Sequence, residues 1–177
     1  MGGFSMGLFS FKKKVSNHTD NNQEVSSNIE IETQFFGKLQ FQRKGNTGTI
    51  ETSIKKINFG ETVLNINIDI DENSNIEVMF DKLENICRNS REFIQEVYPQ
   101  LAEFCNEIDL YDENDQRIDN FNEDLLMKIY KLKWMYVDTN LEKENIISIE
   151  GYICDNVDQE IAIQVNCETN KITYELL

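Results

Sequence analysis

The chain is poor in several residue types on which chemistry depends. Its 177 residues include one histidine, His18, one proline, Pro99, and two alanines, Ala102 and Ala162. With a single histidine in a polar N-terminal stretch, Ser-His-Asp and Cys-His arrangements have no base to work with. The four cysteines, Cys87, Cys105, Cys154 and Cys167, contain no C-x-x-C pair and have no histidine near them in sequence. Zinc sites normally show such local ligand pairs, so these cysteines read as buried, reduced thiols, and no metal or other cofactor is expected. No apolar run approaches the roughly 18 residues that span a bilayer. The apolar opening, Gly2 to Phe11, is followed by Lys12, Lys13 and Lys14, the reverse of a secretory signal. A cytoplasmic, reducing location follows by elimination. Cationic charge is also scarce: 17 Lys and Arg stand against 32 Asp and Glu, a formal net charge of −15. Such a chain has little to neutralise phosphates with, so no nucleic-acid partner is expected and it is an equally poor candidate for an anionic membrane surface.

What is present suffices for a core. Hydrophobic residues make up 40% of the chain, with 11 Phe and 6 Tyr. A body of about 150 residues buries roughly 70% of its unfolded surface and folds without disulfides or metal. Phe4, Leu8, Phe9 and Phe11 before three lysines have the composition of a weak membrane-touching or partner-docking peptide. Residues 15–28 are polar and lack periodicity, however, so 1–30 read as a flexible tail and 31–177 as a single domain. The lysines of the tail balance Asp20, Glu24 and Glu30, leaving the whole negative charge on the body.

Period-two patterning opens the body. Phe35, Leu39 and Phe41 alternate with Lys38 and Gln40, and Ile50, Thr52 and Ile54 with Glu51, Ser53 and Lys55. Gly45–Gly48 and Gly60 mark turns. In the clearest strand Leu64, Ile66, Ile68 and Ile70 face in while Asn65, Asn67, Asp69 and Asp71 face out. Ser74 and Glu77 then form a capping box before a helix burying Ile76, Met79, Phe80, Leu83, Ile86 and Cys87. A second helix from Ser90 carries Phe93, Ile94, Val97, Tyr98, Leu101, Phe104, Cys105 and Ile108, and Pro99 is expected to kink or split it. A short third helix covers about 122–130. The period then returns to two. Leu132, Trp134 and Tyr136 are expected inward, followed by Ile147, Ile149 and Ile153, then Ile161, Ile163, Val165 and Cys167, then Ile172, Tyr174 and Leu176. A hairpin loop over Asp155–Gln159 would set Ile153 opposite Ile161, Ile149 opposite Val165 and Ile147 opposite Cys167. Strands grouped before and after helices define an α+β fold: an antiparallel β-meander, a helical middle segment and a second antiparallel meander, packed as one domain.

No constellation marks a catalytic site. Asp69, Asp71 and Asn73 imitate the start of an EF-hand loop, but Ser74 stands where the loop needs Gly and Phe80 where it needs a bidentate Glu. Gly45–Gly48 precedes no Lys-Ser/Thr pair and no strand-to-helix step, so it is no phosphate loop. Carboxylates are too widespread for any pair to be singled out as a hydrolase couple. One stretch is distinctive. Nine carboxylates lie between Glu103 and Asp124 against Arg117 alone, with Leu110, Tyr111, Ile118 and Phe121 among them. Acidic groups beside aromatics steer and anchor a basic protein. The candidate partner-binding residues are Asp109, Tyr111, Asp112, Glu113, Asp115, Asp119 and Phe121, with Tyr111 and Phe121 as anchors unless the core claims them. The competing reading is a solvated loop that keeps the protein soluble.

The strand containing Phe35, Phe36, Gly37 and Leu39, followed by the Glu51–Ile54 and Val63–Ile70 strands, resembles a bacterial family of small uncharacterised α+β proteins opening on an FFG-x-L strand. The resemblance covers roughly residues 33–90, and the closing segment from Glu150 to Leu176 is similar in pattern only. Some of these proteins are suspected to be immunity proteins that neutralise a toxin by binding it, and no catalytic residues carry over. The expectation is therefore a non-enzymatic cytoplasmic bacterial protein that binds another protein, with a basic one as the candidate. The alternatives are a structural or accessory interaction protein and a carboxylate-dependent hydrolase.

Overall fold

The computed structural model describes residues 14–17, 27–33, 37–44, 49–52, 56–71, 75–139 and 144–177, with side chains for 56–69, 75–139 and 144–177. The chain is a single α+β domain. Its strands are β1 (Lys14–Asn17), β2 (Ser27–Thr33), β3 (Gly37–Lys44), β4 (Thr49–Thr52), β5 (Lys56–Phe59), β6 (Thr62–Asp71), β7 (Tyr130–Thr139), β8 (Asn145–Ile153), β9 (Asn156–Asn166) and β10 (Ile172–Leu176). Three helices, α1 (Ile76–Arg88), α2 (Ser90–Glu107) and α3 (Glu123–Ile129), separate β6 from β7.

Strands β5 to β10 form one mixed six-stranded sheet in chain order. A β5–β6 hairpin turns at Gly60, whose φ of 60° suits a residue without Cβ. Strands β7 to β10 are an antiparallel meander. The two parts meet along β6 and β7, which run parallel with Ile66 opposite Met135 and Ile68 opposite Val137. Neighbouring parallel strands need a long crossover, and the three helices supply it. The backbones of β4, β3, β2 and β1 continue in that order from the edge of β6 that β5 also occupies. The expected inward Phe35, the Gly45–Gly48 turn and most of the tail over 1–30 lie outside the described residues.

One sheet face carries the core. Leu64, Ile66 and Ile68 of β6 are buried as their alternation requires, and α1 turns Met79, Phe80, Leu83, Ile86 and Cys87 onto them. The cap of α1 is Asn75 rather than Ser74: its side chain accepts from the Val78 N–H at 3.3 Å. Either residue type caps well, and the helix starts one residue later than the S-x-x-E spacing implies. Helix α2 runs unbroken through Pro99. The ring costs the Gln95 carbonyl its donor, but both residues are exposed, so water can replace the lost bond. Asn122 caps α3, accepting from Leu125 N–H at 2.9 Å. Among the described residues no helix is long and apolar enough to cross a membrane.

Two irregularities overturn sequence expectations. Leu132 pairs with Gly151 and Trp134 with Glu150, so Lys133 is the extra residue of a β-bulge. The bulge shifts the phase of β7 by one residue. Met135 and Val137 become core, and Trp134 and Tyr136, expected inward, stand on the opposite face. The β8–β9 hairpin turns on Cys154 and Asp155 alone, with φ of 52° and 56°, the signs a type I′ turn needs. Ile149 therefore faces Ile163 and Ile147 faces Val165, two residues from the expected register, which keeps these four residues on the core face. The residues 157–159 then bulge out of β9, since Ile153 pairs with Asn156 and Tyr152 with Glu160.

All four cysteines are free; Cys87, Cys105 and Cys167 are buried and Cys154 is half-buried at the hairpin turn. Burial pushes the thiols of Cys87, Cys105 and Cys167 up to about 12. A thiol reagent at neutral pH should therefore modify Cys154 first and slowly, and reductant should leave the melting temperature unchanged. A fall of several degrees on reduction, or fast labelling of the other three, would contradict this arrangement.

Candidate functional site

The acidic stretch is not a loose loop. After α2 ends, residues 108–122 fold into a miniature hairpin in which Tyr111 and Arg117 bridge. Asp112 N–H donates to the Gln116 carbonyl at 2.8 Å and Ile118 N–H to the Leu110 carbonyl at 2.8 Å. The Asp112 carboxylate closes the tip, accepting from Asn114 N–H at 2.8 Å and Gln116 N–H at 2.9 Å. These backbone donors hold its carboxyl below the ordinary range. Asp115 sits beyond it at a φ of 58°, a conformation Asp tolerates.

Two side-chain amides fasten this lobe to the body. Gln159 donates to the Tyr111 carbonyl at 2.7 Å and accepts from its N–H at 2.5 Å. The bulge in β9 is what turns Gln159 inward, where it is 6% exposed. Asn106 of α2 does the same for Phe121, donating to its carbonyl at 3.0 Å and accepting from its N–H at 2.8 Å. Leu110 and Phe121 plug the lobe into the core.

The lobe sorts the expected partner-binding residues into different roles. Phe121 is 5% exposed and packs in the core, so it leaves a partner nothing to grip. Asp109 and Asp119 share Arg117, at 2.9 Å from Nη1 and 3.2 Å from Nε, in an exposed arrangement worth little to stability. Asp112 is committed to the turn. Tyr111 is 41% exposed, and Glu113 and Asp115 stand exposed at the tip with no ion pair among the described residues. A hollow of about 730 Å³ lies below, lined by Asn106, Asp119, Asn120, Phe121 and Asn122. Its Asn106 and Asn122 side chains already serve Phe121 and the α3 cap.

A second feature was hidden by the β7 bulge. On the sheet face away from the helices, Tyr136, Asp138, Ile146, Ser148, Glu150 and Gln164 line a cleft of about 310 Å³. Trp134 stacks on Tyr136, ring centroids 6.0 Å apart and planes 27° apart, and is the cross-strand partner of Glu150. Ser148 donates to Glu150 at 2.8 Å, and Gln164 donates to Glu175 at 2.8 Å. Desolvation, with Glu160 and Glu175 of like charge nearby, raises the Glu150 carboxyl despite the Ser148 bond. Desolvation raises Asp138 too, opposed by the Thr139 N–H and aided by Asp69. The sequence signal was the break after Leu132, where Lys133 interrupts one apolar phase and Met135 and Val137 resume in the other. Among the described residues no group of three His, Cys, Asp or Glu is placed to hold a metal. No family model, curated protein or solved structure matches the chain.

Proposed function

We infer that this is a non-enzymatic cytoplasmic bacterial protein that acts by binding a basic protein, and that it neutralises a toxin as an immunity protein does. The observation that carries the binding reading is the pre-organised lobe. Glu113, Asp115 and Tyr111 are presented on a hairpin already held by Gln159, Asn106 and Asp112, so a partner does not bear the cost of ordering it. The immunity role rests on the resemblance of residues 33–90 alone. An accessory interaction protein would use the same lobe.

The test uses the two tip carboxylates, because neutralising Asp112 would open the turn itself. Glu113→Gln with Asp115→Asn should leave the melt unchanged and slow association with a partner captured from bacterial lysate by roughly threefold at low salt. The difference should vanish at high salt. Gln159→Leu removes no charge but frees Tyr111, and should weaken binding at every salt concentration. Unchanged rate and salt slope in the double variant would reduce the lobe to a solubility feature. A carboxylate hydrolase is the second reading, favoured by the raised Asp138 and Glu150 carboxyls in one cleft. A hydrolytic activity abolished by either Asp138→Asn or Glu150→Gln would establish it.

A further inference from the structure

The open-face cleft joins features that the lobe lacks. Tyr136 lines the cleft, and Trp134 stacks against that ring. Around Tyr136 stand acceptors: the carboxylates of Asp138 and Glu150 and the amide oxygen of Gln164, with Glu160 and Glu175 close enough to act on Glu150. The charges pressing on Glu150 all share its sign. Lys131 is on this face, beside Tyr152, but its ammonium is turned to the Lys128 carbonyl at 2.7 Å. An aromatic ring edged by partly desolvated carboxylates that make no ion pair among the described residues is complementary to a planar cation.

We propose that this cleft receives an arginine side chain of a partner protein, its guanidinium lying on Tyr136 and bonding to Glu150. Guanidinium fits better than ammonium. It stacks on an aromatic face while its in-plane donors reach carboxylates, and it is the more easily dehydrated of the two. The volume, about 310 Å³, admits a side chain rather than a folded segment. The proposal rests on the reading that the protein binds a basic protein and gives that partner a second, chemically defined contact, on the sheet face opposite the helices.

Trp134 is the chain's one tryptophan and stacks on Tyr136, so its emission reports on the cleft through that ring. The full-length chain is titrated with a capped Gly-Gly-Arg-Gly-Gly peptide and with versions carrying lysine or citrulline at the central position. The arginine peptide should change Trp134 emission saturably, the lysine peptide should bind several-fold more weakly, and the uncharged citrulline peptide should not bind. Glu150→Gln should weaken the arginine response about tenfold, the loss expected for one charge-assisted hydrogen bond. Equal binding of arginine and lysine, no saturable change, or an unaffected Glu150→Gln chain would overturn the proposal. So would a Lys12→Gln, Lys13→Gln, Lys14→Gln chain that gains affinity with altered emission, since the chain's own basic stretch would then be the occupant. Glu113→Gln with Asp115→Asn should leave the arginine response intact; an equal fall there would mean diffuse attraction to an acidic protein. A lobe that binds no partner beside an intact arginine response would instead refute the lobe and leave the cleft.

Discussion

Ile66→Asp is expected to abolish the folded state. Ile66 is 4% exposed on β6, opposite Met135 of β7 and within the core cluster that the helices cover. The substitution forfeits about 2 kcal/mol or more of apolar burial. It also places a carboxyl where nothing can pair with it, costing several kcal/mol more whether it stays charged or takes up a proton. A domain of this size has about 5–15 kcal/mol of total stability. Loss of the cooperative melt by circular dichroism is the expected result. The neighbouring Asn67→Asp adds the same carboxyl on the exposed side of the strand and should move stability by about 0.5 kcal/mol at most. If both variants melt alike, the assignment of faces on β6 is wrong.

Gly151→Ala should be a severely damaging single-methyl change. A Cβ at Gly151 would lie 2.6 Å from the Lys131 carbonyl oxygen, 2.9 Å from its carbon and 2.9 Å from Tyr130 Cε2. Two of those atoms are backbone and cannot yield without parting β7 from β8. The third belongs to a ring that is itself held in place, because Tyr130 donates its hydroxyl to the Ile161 carbonyl at 2.8 Å. Gly151 is the cross-strand partner of Ile161, so the ring of a β7 residue crosses β8 at its glycine to reach β9. Burial and neighbouring ionisable groups push the Tyr130 hydroxyl well above its ordinary range, which keeps it a donor at any working pH. Overpacking at this point should cost about 3 kcal/mol, or roughly 6–12 °C of melting temperature. Tyr130→Phe keeps the ring and loses only the hydroxyl bond, so its cost should be smaller, about 1 kcal/mol with some further penalty for the orphaned carbonyl. A Gly151→Ala chain melting within about 2 °C of the parent would show that the two strands separate more easily than their pairing implies.

The acidic stretch illustrates how far residue type alone reaches. Its charge was legible in the sequence, and so was the interleaving of Leu110, Tyr111, Ile118 and Phe121. Which aromatic was available to a partner was not, because Tyr111 and Phe121 have the same local setting of acidic and polar neighbours. The difference arises from Asn106, fifteen residues before Phe121, and from Gln159, forty-eight residues after Tyr111. Both amides look like ordinary surface residues until the backbone places them. The cleft on the open sheet face was invisible for a related reason. Trp134 and Tyr136 alternate with Lys133 and Met135, and large aromatics at period two are ordinarily read as core. A single inserted residue reversed that reading for the whole second half of the strand.

Elements governed by local periodicity were determined by the sequence itself. The inward triad Leu64, Ile66 and Ile68, the buried stripe of α1 and the α+β grouping each repeat one preference over many residues, so neighbouring positions reinforce one another. What only the tertiary structure decided turns on single residues or on distant pairing: the bulge at Lys133, the two-residue turn at Cys154 and Asp155, the parallel contact between β6 and β7, and the anchoring of the lobe by Gln159. A one-residue shift changes the facing of every side chain beyond it while barely altering local composition. Parallel pairing joins segments some seventy residues apart, Asn65 with Trp134, through contacts that neither segment encodes alone. The acidic lobe and the open-face cleft arise at those irregular points, where the regular patterns of the chain give way.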